Sequence, residues 1–245
     1  MKEFNYEQIV SNSTFVKEFE VNLRGVDYVV GDIHGMFSNL EKKLKRIGFN
    51  KKFDRLFCVG DLVDRGEESH LVEKYIQEDW FFSVRGNHDE FILRSHFKQE
   101  GFDDDRWCRE MCGGSWWFKL TPEKQVEIAN LVATLPYAIE LKTHRGLVII
   151  SHANLPFFLD WTTIRNMIET QDSTRHYLQW NRDRANNIKD EKIEGIYKAY
   201  FGHTVVDEIQ TSVNSTFLDT GSGYENMSDP LYKKDNPRLS IIKIT

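Results

Sequence analysis

The sequence has few cysteines and lacks any long hydrophobic segment. Three cysteines occur among 245 residues. An odd number does not suggest a paired disulfide framework, so we expect a reducing compartment, with the cytoplasm as the default. No apolar run approaches the roughly 20 residues that a membrane-spanning helix needs. The N-terminal residues are polar and acidic, which is wrong for a secretory signal, and we expect no membrane partner.

An excess of basic residues is also absent. Acidic side chains outnumber lysine and arginine by 38 to 32, which gives a formal net charge of -6. Proteins whose main task is to bind a polyanion usually carry a basic excess, so we expect no nucleic-acid partner. Repeats, low-complexity segments and linkers are absent too. We therefore predict a single domain over residues 28–245, after an N-terminal extension of unclear role over residues 1–27, and take a monomer as the default.

Three strand–loop–helix units follow one another in the first part of the chain. Each begins with a short apolar run, at residues 28–30, 55–59 and 81–84. Each run leads into a loop that carries acidic or histidine residues, and then into apolar residues at helical spacing. Successive units of this kind predict an α/β fold in which helices cover a layered sheet.

Further strand and helix signals occupy the rest of the chain. Thr121 and Pro122 are typical of a helix N-terminus. Strands are predicted at residues 137–141, 147–150 and 197–201. The tail alternates apolar and polar residues at 215–218 and 239–244, and we predict that both stretches are strands of a second, partly mixed sheet.

The segment over residues 101–120 differs in character, with three tryptophans, an acidic run and a Gly-Gly break. We expect a loop or short helix near the mouth of a crevice. The aromatic cluster of Trp107, Trp116, Trp117 and Phe118 is expected to serve packing rather than substrate contact. Cys108 and Cys112 would share one helix face, but no second pair accompanies them, so a zinc or redox role is disfavoured.

Six polar side chains lie at the predicted strand ends, where ligands bind in open α/β sheets. They are Asp32, His34, Asp61, Asn87, His152 and His203. Mixed nitrogen and oxygen donors suit Mn²⁺, Fe or Zn²⁺ better than Mg²⁺ or Ca²⁺. Six ligands exceed the needs of one open catalytic ion, whereas a bridging carboxylate would let them hold two ions about 3.5–4 Å apart. Asp61, on the central unit, is the natural bridge.

Five motifs occur along the chain in a fixed order: GDIHG at 31–35, GDLVDRG at 60–66, GNHD at 86–89, SHAN at 151–154 and FGHT at 201–204. In this order they resemble the calcineurin-like metallophosphoesterase superfamily. Within it, the sequence is most similar to the bacterial and phage serine/threonine protein phosphatases of the phage lambda type. The resemblance implies a four-layer α/β/β/α sandwich with the active site at the carboxyl ends of the strands.

The resemblance also implies a role for each site residue. It implies Asp32, His34 and Asp61 at a first divalent ion, and Asp61, Asn87, His152 and His203 at a second, with manganese expected and iron or zinc as alternatives. A hydroxide held between the ions would attack phosphorus directly. His88 would protonate the leaving alkoxide while Asp64 orients its imidazole. Three arginines, Arg65, Arg85 and Arg182, would clamp the phosphoryl oxygens.

Single positions bear on the choice of substrate. Nucleases and many phosphodiesterases of the superfamily carry a histidine at the position of Val205, and symmetrical bis(5'-nucleosyl)-tetraphosphatases typically lack an acid at that of Asp64. Both positions favour a phosphatase for phosphorylated proteins or peptides, which would also cleave small aryl phosphates. The tetraphosphatase is the competing function, and a non-catalytic scaffold is disfavoured because all six ligands are present. One departure is Asp89, which is one methylene shorter than the usual glutamate.

Overall fold

The computed structural model describes residues 14–109, 111–187, 191–226 and 236–244. Within these ranges the strands are β1 (Val16–Phe19), β2 (Asp27–Val30), β3 (Arg55–Cys58), β4 (Phe81–Ser83), β5 (Ala138–Thr143), β6 (Gly146–Ser151), β7 (Lys198–Phe201), β8 (Gln210–Ser212), β9 (Ser215–Phe217) and β10 (Ile241–Lys243). The α-helices are α1 (Phe37–Arg46), α2 (Val72–Ile76), α3 (Asn87–His96), α4 (Asp104–Trp107), α5 (Pro122–Ala133), α6 (Trp161–Thr170), α7 (Asp172–Trp180) and α8 (Asp183–Asn187). Short 3-10 helices cover Ser69–Leu71, Gly114–Lys119 and Tyr224–Asn226.

The strands form two sheets. The four-stranded sheet has the order β10-β2-β3-β4, with β2, β3 and β4 parallel and β10 antiparallel to β2. The six-stranded sheet has the order β1-β5-β6-β7-β9-β8. Its pairs β1–β5, β6–β7 and β7–β9 are parallel, whereas β5–β6 and β8–β9 are antiparallel. Both sheets therefore contain a set of parallel strands whose carboxyl ends meet at one edge.

Alternating side chains on the strands explain how the layers stack. On β2, Val29 packs between the two sheets, together with Val148 of β6 and Tyr200 of β7. Its neighbour Val30 points to the opposite face and packs against Phe37 of α1, in a core that also receives side chains of α2, α3 and α5. The far face of the six-stranded sheet packs against α6 and α7. The order helix, sheet, sheet, helix confirms the predicted four-layer α/β/β/α sandwich.

The first three strand–loop–helix units are confirmed, as is the helix start at Pro122, where the Thr121 hydroxyl accepts a hydrogen bond from the N–H of Lys124. The assignment of the tail to one second sheet is wrong in part. β9 belongs to the six-stranded sheet, but β10 pairs with β2, with Ile242 opposite Val29. Alternation identifies a half-buried strand without identifying its partner, which only the path of the chain decides.

Two strands were not predicted. β8 pairs with β9 at one edge of the six-stranded sheet. β1 lies in the described part of the N-terminal extension and forms the opposite edge, parallel to β5, while residues 1–13 lie outside the described residues. In the part of the chain that is described, no helix has the length and apolar character needed to cross a membrane.

Candidate metal centre and active site

Five residues of the predicted site have left-handed backbone conformations. Their φ angles are +46° for His34, +51° for Asp61, +74° for Asp64, +63° for Arg65 and +64° for His203. This conformation costs a non-glycine residue about 1–2 kcal/mol, because Cβ approaches a carbonyl oxygen. Such residues persist only where the surrounding structure holds them, and they concentrate at functional sites. The turns after β2, β3 and β7 therefore adopt unfavourable backbone conformations that orient the side chains of the predicted site.

The Asp61 carboxylate lies between two groups of possible metal ligands. Its Oδ2 is 3.6 Å from Nε2 of His34, and its Oδ1 is 3.4 Å from Nε2 of His152. One group consists of His34, Asp61 and His88, and the other of Asp61, His152 and His203, with the ligand atoms of each group within 4.8 Å of one another. One carboxylate oxygen thus faces each group, as a carboxylate that bridges two ions requires.

The hydrogen bonds of His34 and His152 direct a lone pair toward Asp61. Nδ1 of His34 lies 2.8 Å from the carbonyl oxygen of Val63, and Nδ1 of His152 lies 2.7 Å from that of Val59. A carbonyl oxygen only accepts, so each imidazole carries its proton on Nδ1 and leaves Nε2 as a ligand atom. Metal-binding histidines are typically held in this way. Lone pairs that face a carboxylate require a cation between them, so these residues fit a metal ion.

His203 and Asn87 complete the group around His152. Nδ1 of His203 is 3.2 Å from Nε2 of His152, and Oδ1 of Asn87 is 2.9 Å from the same atom. Nε2 of His203 lies 3.2 Å from the carbonyl oxygen of Trp180, which leaves Nδ1 as a ligand atom. Burial lowers the pKa of both His34 and His203, so their imidazoles are neutral, the form that binds metals.

Asp32 lies beside a second buried acid, Asp219, that was not predicted. Both oxygens of Asp32 lie within 3.2 Å of the backbone N–H of His203. Burial, followed by the charges of Asp219 and Asp61, raises the pKa of Asp32 well above its usual range. Burial also raises the pKa of Asp219. Buried acids that repel one another favour a divalent cation at the same place.

The sequence contained a signal for Asp219. Like Asp32 after β2, it is an acidic residue that follows a short strand almost directly. The carboxyl end of β9 lies next to that of β7 because the two strands are parallel neighbours. Asp219 therefore reaches the same edge as His203.

Two glycines allow carboxylates to approach the backbone. A Cβ atom on Gly202 would lie 1.9 Å from Oδ1 of Asp32, and one on Gly86 would lie 2.1 Å from Oδ1 of Asp61. Real Cβ atoms do not approach other atoms so closely, so no larger residue fits without moving an acid. The glycines of the third and fifth motifs thus belong to the construction of the site.

His88, a member of the group that contains His34 and Asp61, forms a buried hydrogen-bonded pair with Asp64. Nδ1 of His88 is 2.7 Å from Oδ2 of Asp64. Burial raises the pKa of Asp64 to about 7 and lowers that of His88 to about 3. Nε2 of His88 lies 3.3 Å from the guanidinium of Arg65. By distance His88 joins His34 in this group, where the resemblance implies Asp32.

Arg65 and Arg182 line the cavity beside the two ligand groups. The Arg65 guanidinium contacts Nε2 of His34 and so places a positive charge where that lone pair points. Arg182 donates a hydrogen bond of 2.9 Å to the carbonyl oxygen of His203. Both guanidinium groups therefore lie where an anionic ligand of the site would meet them.

Arg85 is the predicted phosphate ligand that the structure does not bring to the site. Its side chain is fully buried, which closes it off from a ligand in the cavity. The guanidinium donates to the carbonyl oxygen of Ala133 at 2.8 Å and to Glu90 at 3.2 Å, and it packs over the ring of Tyr137. Arg85 follows β4, as the predicted site residues Asn87 and His88 do, but its side chain turns toward the helix layer instead. The expectation for Arg85 is corrected accordingly.

Asp89 supports the Asp61 loop despite its shorter side chain. Its carboxylate accepts hydrogen bonds of 2.9 Å from the backbone N–H groups of Asp61, Leu62 and Gly86. Three donors to one carboxylate connect the second motif to the N-terminus of α3. The departure from the usual glutamate therefore leaves this connection intact.

The segment over residues 101–120 lies beside the cavity, as predicted, and forms α4 and a 3-10 helix. Two of its tryptophans also hydrogen-bond to a side chain of the site, while the expectation of packing rather than substrate contact stays a prediction. The indole N–H of Trp107 donates to Oδ2 of Asp64, and that of Trp116 donates to Oδ1, both at 2.7 Å. Trp117 is buried and packs against Trp107, in agreement with the expectation. Sequence spacing carried no sign of these long-range hydrogen bonds.

A cavity of about 550 Å³ opens beside His88. Its charged lining residues are Arg65, Arg106, Arg182 and Asp103, besides His88 and His176. Aromatic rings form another side, among them those of Phe91, Phe102 and Trp180. This volume and the mixture of apolar walls with a few polar groups are typical of small-molecule sites.

A family profile described as calcineurin-like phosphoesterase matches residues 28–219. The match covers most of the chain and includes all five motifs. The chain therefore belongs to the calcineurin-like phosphoesterase family, and the resemblance noted from the motifs is confirmed. Membership implies a centre of two divalent metal ions, and the two ligand groups that share Asp61 fit it by donor chemistry.

Several curated proteins are similar to this chain. Serine/threonine-protein phosphatase 2 of Escherichia coli (strain K12) is 34% identical over 201 residues, which cover 80% of this chain and 87% of that protein. Serine/threonine-protein phosphatase 1 of Salmonella typhimurium is 32% identical, with 80% and 86% covered. The symmetrical bis(5'-nucleosyl)-tetraphosphatase of Shewanella sp. (strain ANA-3) is 34% identical over 137 residues, which cover 53% of this chain and 44% of that protein.

Solved structures share the fold. A provisionally assigned diadenosine tetraphosphatase aligns with a TM-score of 0.62 and 22% identity over 94% of this chain and 96% of that one. A serine/threonine phosphatase from Saccharomyces cerevisiae aligns with a TM-score of 0.60 and 15% identity, over 97% and 86%. At these identities the likeness establishes the sandwich architecture and leaves the substrate open.

Proposed function

We propose that this protein hydrolyses phosphomonoesters, with phosphoserine and phosphothreonine in proteins or peptides as its substrates. The observation that carries the proposal is the hydrogen bond of 2.7 Å between Nδ1 of His88 and Oδ2 of Asp64, beside the ligand groups. The alkoxide of serine or threonine is a poor leaving group, so it must be protonated as it departs from phosphorus. His88 can donate that proton from Nε2, while Asp64 orients the ring and stabilises the imidazolium.

The lowered pKa of His88 determines when it carries the proton. Burial is the main cause, and the nearby charge of Arg65 lowers the pKa further. A phosphoryl dianion held by Arg65 and Arg182 would add negative charge beside the imidazole, and a nearby anion raises the pKa of a cationic acid. A phosphoryl dianion bound beside His88 therefore favours the imidazolium form of its side chain.

The residues proposed to hold two divalent ions, with manganese as the proposed metal, are Asp32, His34, Asp61, Asn87, His152 and His203. Such ions would lower the pKa of water at the site and neutralise charge on the phosphoryl oxygens. Asp61 joins the two ligand groups, and the Nδ1 hydrogen bonds of His34 and His152 fix the direction of Nε2. Arg65 and Arg182 supply planar donors for the remaining phosphoryl oxygens.

The coverage of the relatives supports this substrate class. The alignment spans 87% of the phosphatase from Escherichia coli, whereas it spans 44% of the tetraphosphatase from Shewanella. A likeness over most of a relative includes the residues around its cavity, and these residues select the substrate. An alignment that covers less than half of a relative, as for the tetraphosphatase, can arise from the shared metal-binding loops alone.

A second candidate function is the symmetrical hydrolysis of bis(5'-nucleosyl) tetraphosphates. The observation that favours it is the aromatic wall of the cavity, where Phe91, Phe102 and Trp180 could stack on a nucleobase and Arg106 could meet a polyphosphate. The leaving group in that reaction is a nucleotide phosphate, which departs without a proton. The His88–Asp64 pair would then have little to contribute, and this argument makes it the second candidate.

The two functions are separated by comparing His88→Asn with wild type, both loaded with Mn²⁺. The substrates are a phosphoserine peptide, 4-nitrophenyl phosphate and diadenosine tetraphosphate. We expect the substitution to lower kcat for the peptide by about 10²–10⁴-fold and for the activated aryl ester much less. The matched control is His144→Asn, at an exposed histidine in the turn between β5 and β6. Preferred cleavage of the tetraphosphate, unaffected by His88→Asn, would transfer the assignment to the second candidate.

A further inference from the structure

The Asp64 carboxylate is surrounded by hydrogen-bond donors. It is fully buried, and its Oδ2 accepts from both Nδ1 of His88 and Nε1 of Trp107, each at 2.7 Å. Its Oδ1 accepts from Nε1 of Trp116, also at 2.7 Å. The backbone N–H of Asp64 donates to the hydroxyl of Ser69 at 2.8 Å. Both oxygens are thus occupied, and two of the three side-chain donors are tryptophans.

Two glycines bring the tryptophan segment against the Asp64 turn. A Cβ atom on Gly114 would lie 2.3 Å from Nε1 of Trp107. Gly113 has a φ of +82°, and a Cβ atom on it would lie 2.3 Å from the backbone nitrogen of Arg65. Only glycine permits this approach. Gly113 and Gly114 therefore allow the segment to pack close enough for both indoles to reach the Asp64 carboxylate.

An indole N–H is an uncharged group that donates a hydrogen bond and cannot accept one. Trp107 and Trp116 therefore hydrogen-bond to the ionised form of Asp64 and have nothing to accept a proton from its acid form. The two indoles approach different oxygens, so together they also fix the rotation of the carboxylate. A carboxylate fixed in this way keeps Oδ2 directed at Nδ1 of His88, which in turn directs Nε2 into the cavity.

We propose that Trp107 and Trp116 are positioning residues for general-acid catalysis, since their indole N–H groups hold the Asp64 carboxylate in the orientation that aims His88 at the leaving oxygen. The proposal rests on the proposed function in one respect, namely that His88 protonates a leaving group. It extends the acid pair to a network of four side chains, two of which come from the segment that also lines the cavity. Neither tryptophan touches the reacting atoms.

The network predicts an effect that depends on the leaving group. A poor leaving group such as an alkoxide requires the proton, so its rate depends on the aim of His88. The 4-nitrophenolate ion departs readily without it. Loss of an indole N–H should therefore lower kcat for the poor leaving group selectively and leave KM unchanged, because the indoles contact no phosphoryl oxygen. General damage to the fold would lower all rates together.

The main test is Trp116→Phe, which keeps an aromatic ring at a half-buried position and removes the N–H. With Mn²⁺-loaded protein we expect kcat to fall about 10-fold for a phosphoserine peptide and less than about 2-fold for 4-nitrophenyl phosphate. The matched control is Trp117→Phe. Trp117 lies in the same 3-10 helix, is buried and packs against the ring of Trp107. It should show no dependence on the leaving group.

A second readout needs neither metal nor substrate. In ¹H–¹⁵N spectra of the metal-free protein, the indole resonances of Trp107 and Trp116 should lie downfield of that of Trp180, whose buried indole N–H has no hydrogen-bond partner among the described residues, because charge-assisted hydrogen bonds are short. The substitution Asp64→Asn should move both upfield. This readout also covers Trp107, whose replacement at a fully buried position could impair folding.

The outcomes separate this proposal from the proposed function. If the wild type cleaves no phosphoserine peptide, phenyl phosphate replaces it as the poorer leaving group, and the same selective loss is expected. Equal losses for both substrates in Trp116→Phe and Trp117→Phe would overturn the positioning role. Unchanged rates in Trp116→Phe, or indole resonances that do not respond to Asp64→Asn, would overturn it as well.

Discussion

The four-stranded and six-stranded sheets contribute different chemistry to one site. The loops after β2, β3 and β4 carry the candidate ligands Asp32, His34, Asp61 and Asn87, together with the whole His88–Asp64 pair. The loops after β6, β7 and β9 carry His152, His203 and Asp219, which offer ligand atoms or charge but no acid–base pair. The proposed proton transfer is thus confined to one sheet, while the candidate metal ligands are divided between both.

The division follows from the way each sheet is built. In the four-stranded sheet, β2, β3 and β4 are adjacent in the order in which they occur along the chain. The loops that follow these strands therefore lie side by side. In the six-stranded sheet, β6 and β7 become neighbours only after a long connection through α6, α7 and α8, and β7 and β9 only after a loop and β8. Asp61 connects the halves, since its two oxygens face His34 on one side and His152 on the other. This comparison is tested by substitutions in the loops of one sheet, or at Asp61, which joins the two ligand groups.

The largest effect is expected for Asp61→Asn, which changes the side chain that faces both ligand groups. An amide offers one oxygen where the carboxylate offers two, so both ligand groups lose a charged partner. We expect kcat to fall by about three orders of magnitude, because metal-ion charge stabilisation is worth several kcal/mol. Metal content per chain, measured by mass spectrometry of the elements, should fall below that of the wild type for both ions.

The controls for Asp61→Asn act on one half each. His34→Ala should lower occupancy by about one ion and leave the group around His152 loaded, and His203→Ala should do the converse. If Asp61→Asn lost no more metal than either histidine variant, the carboxylate would not connect the two groups.

The next largest effects are expected for two arginines, one from each half of the molecule. Arg85 follows β4 of the four-stranded sheet, and Arg182 lies between α7 and α8 in the layer that covers the six-stranded sheet. Arg85→Ala removes one cation beside the buried Glu90, while Arg94 remains 3.8 Å away, so we expect a loss of about 3 kcal/mol in the free energy of unfolding. Arg182→Ala should change stability little and raise KM for aryl phosphates about 10-fold. Urea denaturation and steady-state kinetics give both quantities. A KM effect in a stably folded Arg85→Lys variant would return Arg85 to the phosphate site.

A smaller effect is expected at the contact between the halves, where Gly202 after β7 meets Asp32 after β2. The added methyl group of Gly202→Ala must displace the carboxylate, at a cost of about 1–3 kcal/mol from overpacking, with a loss of metal at the first group. The control is Gly48→Ala, where no atom lies within 4 Å of the added Cβ but the φ of +69° is strained. That variant should be destabilised by about 1 kcal/mol and retain its metal.

The smallest effect concerns pH. Burial and the neighbouring acids raise the pKa of Asp32, so below that raised pKa the carboxyl carries a proton that a metal ion must displace. Metal affinity should therefore rise with pH, by up to about tenfold per unit for each proton displaced, and level off above the raised pKa. Calorimetry in buffers of different ionisation enthalpy counts the protons released. Affinity that falls with rising pH would contradict the assigned pKa direction.

The predictability of the site differs between residues for physical reasons. Asp32, Asp61 and Asn87 follow parallel strands, and that position alone brings them to a common edge. Arg85 occupies an equivalent position, yet its side chain turns into the helix layer, because a rotamer depends on packing partners that spacing does not reveal. Trp107 and Trp116 are the converse case, since the partner of each indole is more than 40 residues away in sequence.

The sequence by itself determined the local elements, the order of the ligand-bearing loops and the family of the chain, because strand periodicity, glycine turns and ligand residues are properties of short segments. The tertiary structure decided which sheet receives β10, where Arg85 points and how the tryptophans reach Asp64. These features depend on contacts between distant segments, whose energies are decided by packing and burial in three dimensions and leave no periodic trace in the chain.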